Sequence, residues 1–181
     1  GKEACEYHIL FEPTERTAYE YYTMTKNYLV LSTMDNVKSK LKFYKIGNEG
    51  STLTLVGGDP EAQIRDCSVR PLDPYDSGDQ FWFTTSDFTT PSTLFLADAS
   101  KVEQDGGDKP DAYITDKIKS LPPQFDSSDL SVAQQIAISK DGTEIPYFII
   151  QKKDAVMNGK NPTLLYGYGG FEVSLGPHYI A

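Results

Sequence analysis

The chain has 181 residues, enough for one or two domains with a substantial core. Its 17 Lys and Arg against 26 Asp and Glu give a formal net charge of −9, and no basic cluster offsets it, which argues against a nucleic-acid or anionic-membrane surface. Abundant Tyr and Phe suit a β-rich soluble protein, and no apolar run approaches the roughly 20 residues of a membrane-spanning helix.

The chain begins Gly1-Lys2-Glu3-Ala4, with neither an initiator Met nor a signal-like segment. A cytoplasmic location is the expectation; a chain without its true N-terminus leaves a periplasmic or secreted one open. Cys5 and Cys67 lie far apart with no metal-ligand spacing, as expected of two inert thiols in a reducing compartment.

From Glu6 to about Ile118 the pattern is strand–turn–strand with almost no helical periodicity. Apolar and β-branched residues predict strands at Tyr28–Leu31, Leu41–Ile46, Leu53–Val56, Phe81–Thr85 and Leu94–Leu96. Turn residues separate them, among them Gly57-Gly58-Asp59-Pro60 and Asp73-Pro74-Tyr75-Asp76-Ser77-Gly78. Tyr28 to Gly47 also lies without gaps on Phe81 to Ser100, matching Val30 with Phe83, Leu41 with Leu94 and Phe43 with Leu96 at an offset of 53 residues (81 − 28). A four-stranded propeller blade takes roughly 40 to 50 residues, so the echo fits a blade repeat.

Asp98 to Pro110 is polar and acidic and reads as a solvated turn between outer strands. Its Asp105, Asp108 and Asp111 lack the spacing of an EF-hand loop, so no calcium site is expected. Ser120-Leu121-Pro122-Pro123 then marks a boundary, dividing the chain into residues 1–121 and 122–181.

Past the prolines, Val132 to Ser139 and Ile145 to Gln151 predict two strands joined at Asp141-Gly142, a strong hairpin signal. Pro146 cannot donate to a ladder and puts the second strand at or near a sheet edge. The apolar run Thr163 to Tyr166 predicts a buried strand, with Tyr166 structural and facing away from Leu165. It leads into Tyr166-Gly167-Tyr168-Gly169-Gly170-Phe171, whose glycines allow close backbone approach to a ligand. Such a loop after the third strand of an α/β-hydrolase supplies half of an oxyanion hole, with a Gly-x-Ser-x-Gly elbow to follow. No such pentapeptide occurs here, and His8 and His178 fit no Ser/Asp/His arrangement, so the chain is expected to be an internal fragment without a triad.

Ser139-Lys140-Asp141-Gly142-Thr143-Glu144-Ile145-Pro146 and Asn161-Pro162-Thr163-Leu164-Leu165-Tyr166-Gly167-Tyr168-Gly169-Gly170-Phe171 closely resemble the prolyl oligopeptidase (prolyl endopeptidase) family of serine peptidases. Phe83-Thr84-Thr85-Ser86-Asp87-Phe88-Thr89-Thr90-Pro91-Ser92-Thr93-Leu94 resembles that family's last propeller blade, and Val37-Lys38-Ser39-Lys40-Leu41 part of an earlier one. The resemblance implies a mostly β chain. By the same resemblance, residues 1–121 are expected to be the C-terminal blades of a seven-bladed β-propeller, and residues 122–181 the start of an α/β-hydrolase catalytic domain, cut before the nucleophile.

It further implies a serine endopeptidase cleaving short proline-containing peptides after proline by acyl-enzyme chemistry. No cofactor, metal, nucleic acid or membrane is expected to take part, and the full-length enzyme is expected to be a monomer. Tyr168 matches the oxyanion-hole tyrosine and Phe171 the aromatic wall of the proline pocket. Physical chemistry agrees: a phenolic O–H is a neutral donor for developing charge, and an aromatic face suits a flat apolar proline ring. Two alternatives stand beside this reading. One is an oligopeptidase of the same superfamily cutting after basic residues; Gly170-Phe171 argues against it, because that subfamily's loop carries a small residue and a tyrosine there. The other is a propeller module that binds a partner without chemistry, which has no use for an oxyanion loop.

Overall fold

In a computed structural model, residues 7–47, 52–73, 75–107, 109–171 and 173–180 are described. Cys5 and Asp108 lie outside them. The first sheet is an antiparallel meander of β1 (Thr17–Met24), β2 (Tyr28–Asp35), β3 (Lys38–Ile46) and β4 (Leu53–Gly58). The second repeats the order with β5 (Asp66–Pro71), β6 (Gln80–Ser86), β7 (Thr93–Asp98) and β8 (Ile114–Ser120). Two successive four-stranded meanders are the form of propeller blades.

Period-two burial explains why these segments are strands. In β3, Ser39, Leu41 and Phe43 are buried while Lys38, Lys40 and Lys42 turn outward; in β6, Phe81 and Phe83 are buried and Trp82 is not. The buried faces of the two sheets meet. Tyr28, Val30, Leu41 and Phe43 from the first share one core with Cys67, Val69, Phe81, Phe83 and Ala97 from the second. Tyr113, just before β8, sits between them, its ring centroid 5.1 Å from Phe43, 5.9 Å from Phe81 and 5.2 Å from Phe83. Aromatic pairs at such separations add to the area they bury.

The expected internal repeat is present with one correction. β2 corresponds to β6 and β3 to β7, but Val30 pairs with Phe43 whereas Phe83 pairs with Phe95. The partner of Phe83 thus lies one residue earlier than the ungapped echo places it. The two hairpins close differently: β2 and β3 join through Asn36 and Val37 alone, at φ 48° and 66°, while residues 87–92 join β6 and β7, and the two ladders settle in registers one residue apart. The core requires an inward side chain at each paired position, and the register follows that requirement.

Two further expectations are revised. Gly57 and Gly58 do not form a turn but end β4, where Gly58 N–H donates to Gly107 O at 2.8 Å. A Cβ on Gly57 would lie 2.0 Å from that same oxygen, so glycine is what lets the strand dock there. The stretch expected as a solvated turn instead contains α1 (Ser100–Gln104), whose Val102 is buried. Just before it, Asp98 Oδ1 accepts from the N–H and O–H of Ser100, at 2.9 and 2.6 Å.

Beyond the prolines, β9 (Leu130–Ile138) and β10 (Glu144–Lys152) form the expected hairpin. Gly142 takes φ 88° at its turn, and Asp141 Oδ1 accepts from Thr143 N–H, which holds the Asp141 carboxyl below its ordinary range. The ladder runs unbroken past Pro146, and β10 pairs on its other side with no described strand.

The predicted buried strand at Thr163–Tyr166 is not formed. Leu164 and Leu165 are 90% and 93% exposed, and the backbone there is irregular. A strand needs a ladder partner, and among the described residues these four find none. The segment after it returns to the boundary region: Tyr179 stacks on Phe125 at 5.0 Å and its hydroxyl accepts Gln124 N–H at 2.7 Å. No described helix is long and apolar enough to cross a membrane.

Candidate active site

The glycine loop stands out from the surface. Tyr168 is 53% exposed and Phe171 is 94% exposed. Phe171 takes φ 55°, a left-handed backbone unusual for an aromatic residue, and Gly170 O accepts Val173 N–H across it at 3.2 Å. The two residues expected to carry chemistry therefore sit three positions apart on one exposed loop, Phe171 within its turn and Tyr168 just before it. The Tyr168 phenol lies over Gly170: a Cβ built there would sit 2.9 Å from the hydroxyl oxygen. At Gly167 and Gly169 such an atom would meet nothing within 4 Å. The hydroxyl donates to no described residue, which leaves it available to an external acceptor. Phe171 offers a bare aromatic face.

The histidines do not join this loop. His8 is exposed, and His178, also exposed, places Nδ1 2.8 Å from Gly176 O. Among the described residues no group of three or more His, Cys, Asp and Glu could hold a metal. Asp111, one of the acidic residues considered for calcium, is instead paired with Arg65.

That pair belongs to a buried polar cluster which the sequence did not suggest. Arg65 reaches Asp59 Oδ2 at 3.0 Å, Asp111 Oδ1 at 2.5 Å and the Tyr113 hydroxyl at 2.7 Å, and its guanidinium lies 5.1 Å from the centroid of Phe83. Asp59 Oδ2 also accepts Leu41 N–H at 3.0 Å. Burial raises the Asp59 carboxyl above its ordinary pKa despite the attraction of Arg65. Burial works against the Arg65 charge too, but Tyr113, Asp59 and Asp111 outweigh it and hold the guanidinium above its ordinary value. Asp59 Oδ1 and Arg65 Nε remain buried without a protein partner. The cluster ties β3 of the first sheet to the approach of β8 in the second, so its role is architectural. Two of its members, Asp59 and Asp111, were noted in the sequence, each for another reason.

A cleft of about 400 Å³ lies elsewhere: an open apolar hollow on the first sheet lined by Leu10, Phe11, Tyr19, Tyr22 and Leu31 among others. It lacks the converging polar groups of a reaction site.

No protein-family model matches the chain. It is 36% identical over 184 residues to an uncharacterized peptidase of Sinorhizobium fredii, covering 96% of this chain and 22% of that protein. It is 30% identical over 171 residues to prolyl oligopeptidase A of Amanita bisporigera, covering 93% and 20%. Among solved structures, a post-proline cleaving enzyme from Rickettsia typhi matches with a TM-score of 0.68 at 29% identity, over 96% of this chain and 23% of that one. The chain thus spans between a fifth and a quarter of the proteins it resembles. Along nearly its whole length, over two blade-like sheets and the hairpin that follows, the chain is similar to peptidases of the prolyl oligopeptidase family.

Proposed function

We propose that this chain is part of a serine endopeptidase that cleaves short peptides on the carboxyl side of proline. Residues 1–121 would supply propeller blades, and residues 122–181 the start of the catalytic domain with one oxyanion donor. The observation that carries the reading is the match to a post-proline cleaving enzyme over 96% of the chain at 29% identity. The exposed loop supports it with a chemistry of its own.

In the proposed reaction the serine hydroxyl attacks the carbonyl carbon of a proline residue, and negative charge develops on its oxygen. The Tyr168 O–H donates to that oxygen. A preoriented donor strengthens its hydrogen bond as charge grows, so it stabilises the transition state more than the bound peptide. Phe171 lies three residues further along the loop with its ring uncovered, suited to stack on the pyrrolidine ring of the proline before the cleaved bond. Nucleophile, base and orienting acid would come from sequence outside these 181 residues.

The test is the longer polypeptide that contains this chain. Its sequence should carry a Gly-x-Ser-x-Gly elbow after Ala181, and the purified protein should hydrolyse a Gly-Pro amide until a serine-directed phosphonate stops it. Cleavage after Arg or Lys in place of Pro would favour the basic-residue oligopeptidase. Absence of both elbow and hydrolysis would leave only a binding module.

A further inference from the structure

Of the three glycines in the loop, Gly170 is the one whose missing side chain is occupied by something. Its backbone is not left-handed, so conformational freedom is not what requires glycine there. The requirement is space. A Cβ at position 170 would lie 2.9 Å from the Tyr168 hydroxyl oxygen, 3.1 Å from Cζ and 3.5 Å from Cε1. Carbon and oxygen in contact prefer roughly 3.5 Å, so a methyl group would drive the phenol outward by about half an ångström or more. The atoms displaced are the far end of a rotatable side chain, not backbone, so the turn itself has no reason to break.

We propose that Gly170 is a positioning residue: the hollow above its Cα seats the Tyr168 phenol and sets where the hydroxyl points. This rests on the reading of Tyr168 as the oxyanion donor. An oxyanion donor works within a narrow distance range, so a half-ångström displacement acts on the transition state. The neighbouring turn fixes the seat, since Gly170 O accepts Val173 N–H at 3.2 Å while Phe171 holds φ 55°. Gly167 and Gly169, with nothing within 4 Å of a built Cβ, have no such part.

The experiment is a double-mutant cycle in the full-length enzyme, with kcat and KM measured on a slow proline amide for wild type, Gly170→Ala, Tyr168→Phe and both together. Misplacement of about an ångström costs up to 100-fold in rate, so Gly170→Ala alone should lower kcat on the order of 10- to 100-fold with KM nearly constant. In the Tyr168→Phe background, where there is no donor left to misplace, it should change kcat less than about threefold. Equal loss in both backgrounds would overturn the proposal while leaving Tyr168 as donor. No loss from Tyr168→Phe itself would overturn the underlying reading, and this one with it.

Discussion

Gln134 and Phe148 stand directly opposite each other in the β9–β10 ladder, and each reaches a different four-stranded sheet. Gln134 Nε2 donates to Asn36 O at the tip of the β2–β3 hairpin, and the Phe148 ring lies 5.1 Å from Phe88 in the β6–β7 loop. Glu144, on the same face of the hairpin, pairs with Arg16 just before β1. One face of β9–β10 is thus held by both blades.

The apolar contact should dominate this docking. Phe148→Ala removes a half-buried ring and should cost about 1–2 kcal/mol, below the fully buried range. The Arg16–Glu144 pair is about half exposed on both sides, so Glu144→Gln should cost under about 0.5 kcal/mol. Hydrogen exchange separates local from global loss. In Phe148→Ala the β9–β10 amides should exchange faster while those of β2 and β6 keep their protection; a uniform change would mean that the hairpin is not a separate unit.

Arg65 should be the most costly polar side chain to remove. Arg65→Ala leaves the Asp59 carboxylate, whose side chain is wholly buried, without its counter-charge, and breaking such a pair costs about 3–5 kcal/mol. Urea unfolding should show a loss of that size. A loss below about 1 kcal/mol would mean that Asp59 is held neutral and that the cluster is not an ion pair.

Cys67 gives the pH prediction. Burial pushes its thiol up to about 11 from 9.0, with Arg65 pulling the other way. A folded-state pKa raised above the unfolded one gives stability that is complete below pH 9 and lost as pH rises through about 11. At pH 8 the folded chain should therefore leave Cys67 unmodified by a disulfide reagent, and urea should expose it to rapid reaction. Peptide mapping scores it apart from Cys5. Fast modification of Cys67 in the folded protein would contradict both the burial and the shift.

Local grammar was readable where a signal lies within a few residues. The run Leu41–Ile46 located all but the first three residues of β3, Asp141-Gly142 gave the last hairpin, and the glycines around Tyr168 gave the loop. What depends on distant partners was not readable. Asp59, Arg65, Asp111 and Tyr113 meet only once both sheets have stacked, so no window of sequence contains their geometry. Gly57 looked like a turn because glycine marks both a turn and a close backbone approach, and only Gly107 on the other side tells them apart. Thr163–Tyr166 has the composition of a buried strand, but composition does not supply the neighbour that would bury it.

That unburied segment has a consequence in solution. Leu164, Leu165 and Tyr166 are exposed in succession, and one edge of β10 is unpaired among the described residues, beside half-exposed Ile145 and Ile150. Apolar surface is worth about 25 cal/mol per Å² on burial, and an unpaired edge invites another strand. The 181-residue chain should therefore associate with itself as concentration rises, seen as an increasing mass-average in sedimentation equilibrium. A monomer across the whole range, with one sharp thermal transition, would contradict this.

The claim that the loop holds an oxyanion donor is tested most directly by Tyr168→Phe in the full-length enzyme, assayed on a proline amide for which acylation is rate-limiting. The substitution keeps the ring and removes only the hydroxyl, so fold and binding should persist. Loss of one oxyanion donor elsewhere costs roughly 10²- to 10³-fold in kcat, and that loss, with KM nearly unchanged, is the result expected here. Phe171→Ala should act differently, raising KM through a lost pocket wall with a smaller fall in kcat. Wild-type kcat in Tyr168→Phe would contradict the account and return Tyr168 to the role of an ordinary surface aromatic beside a turn.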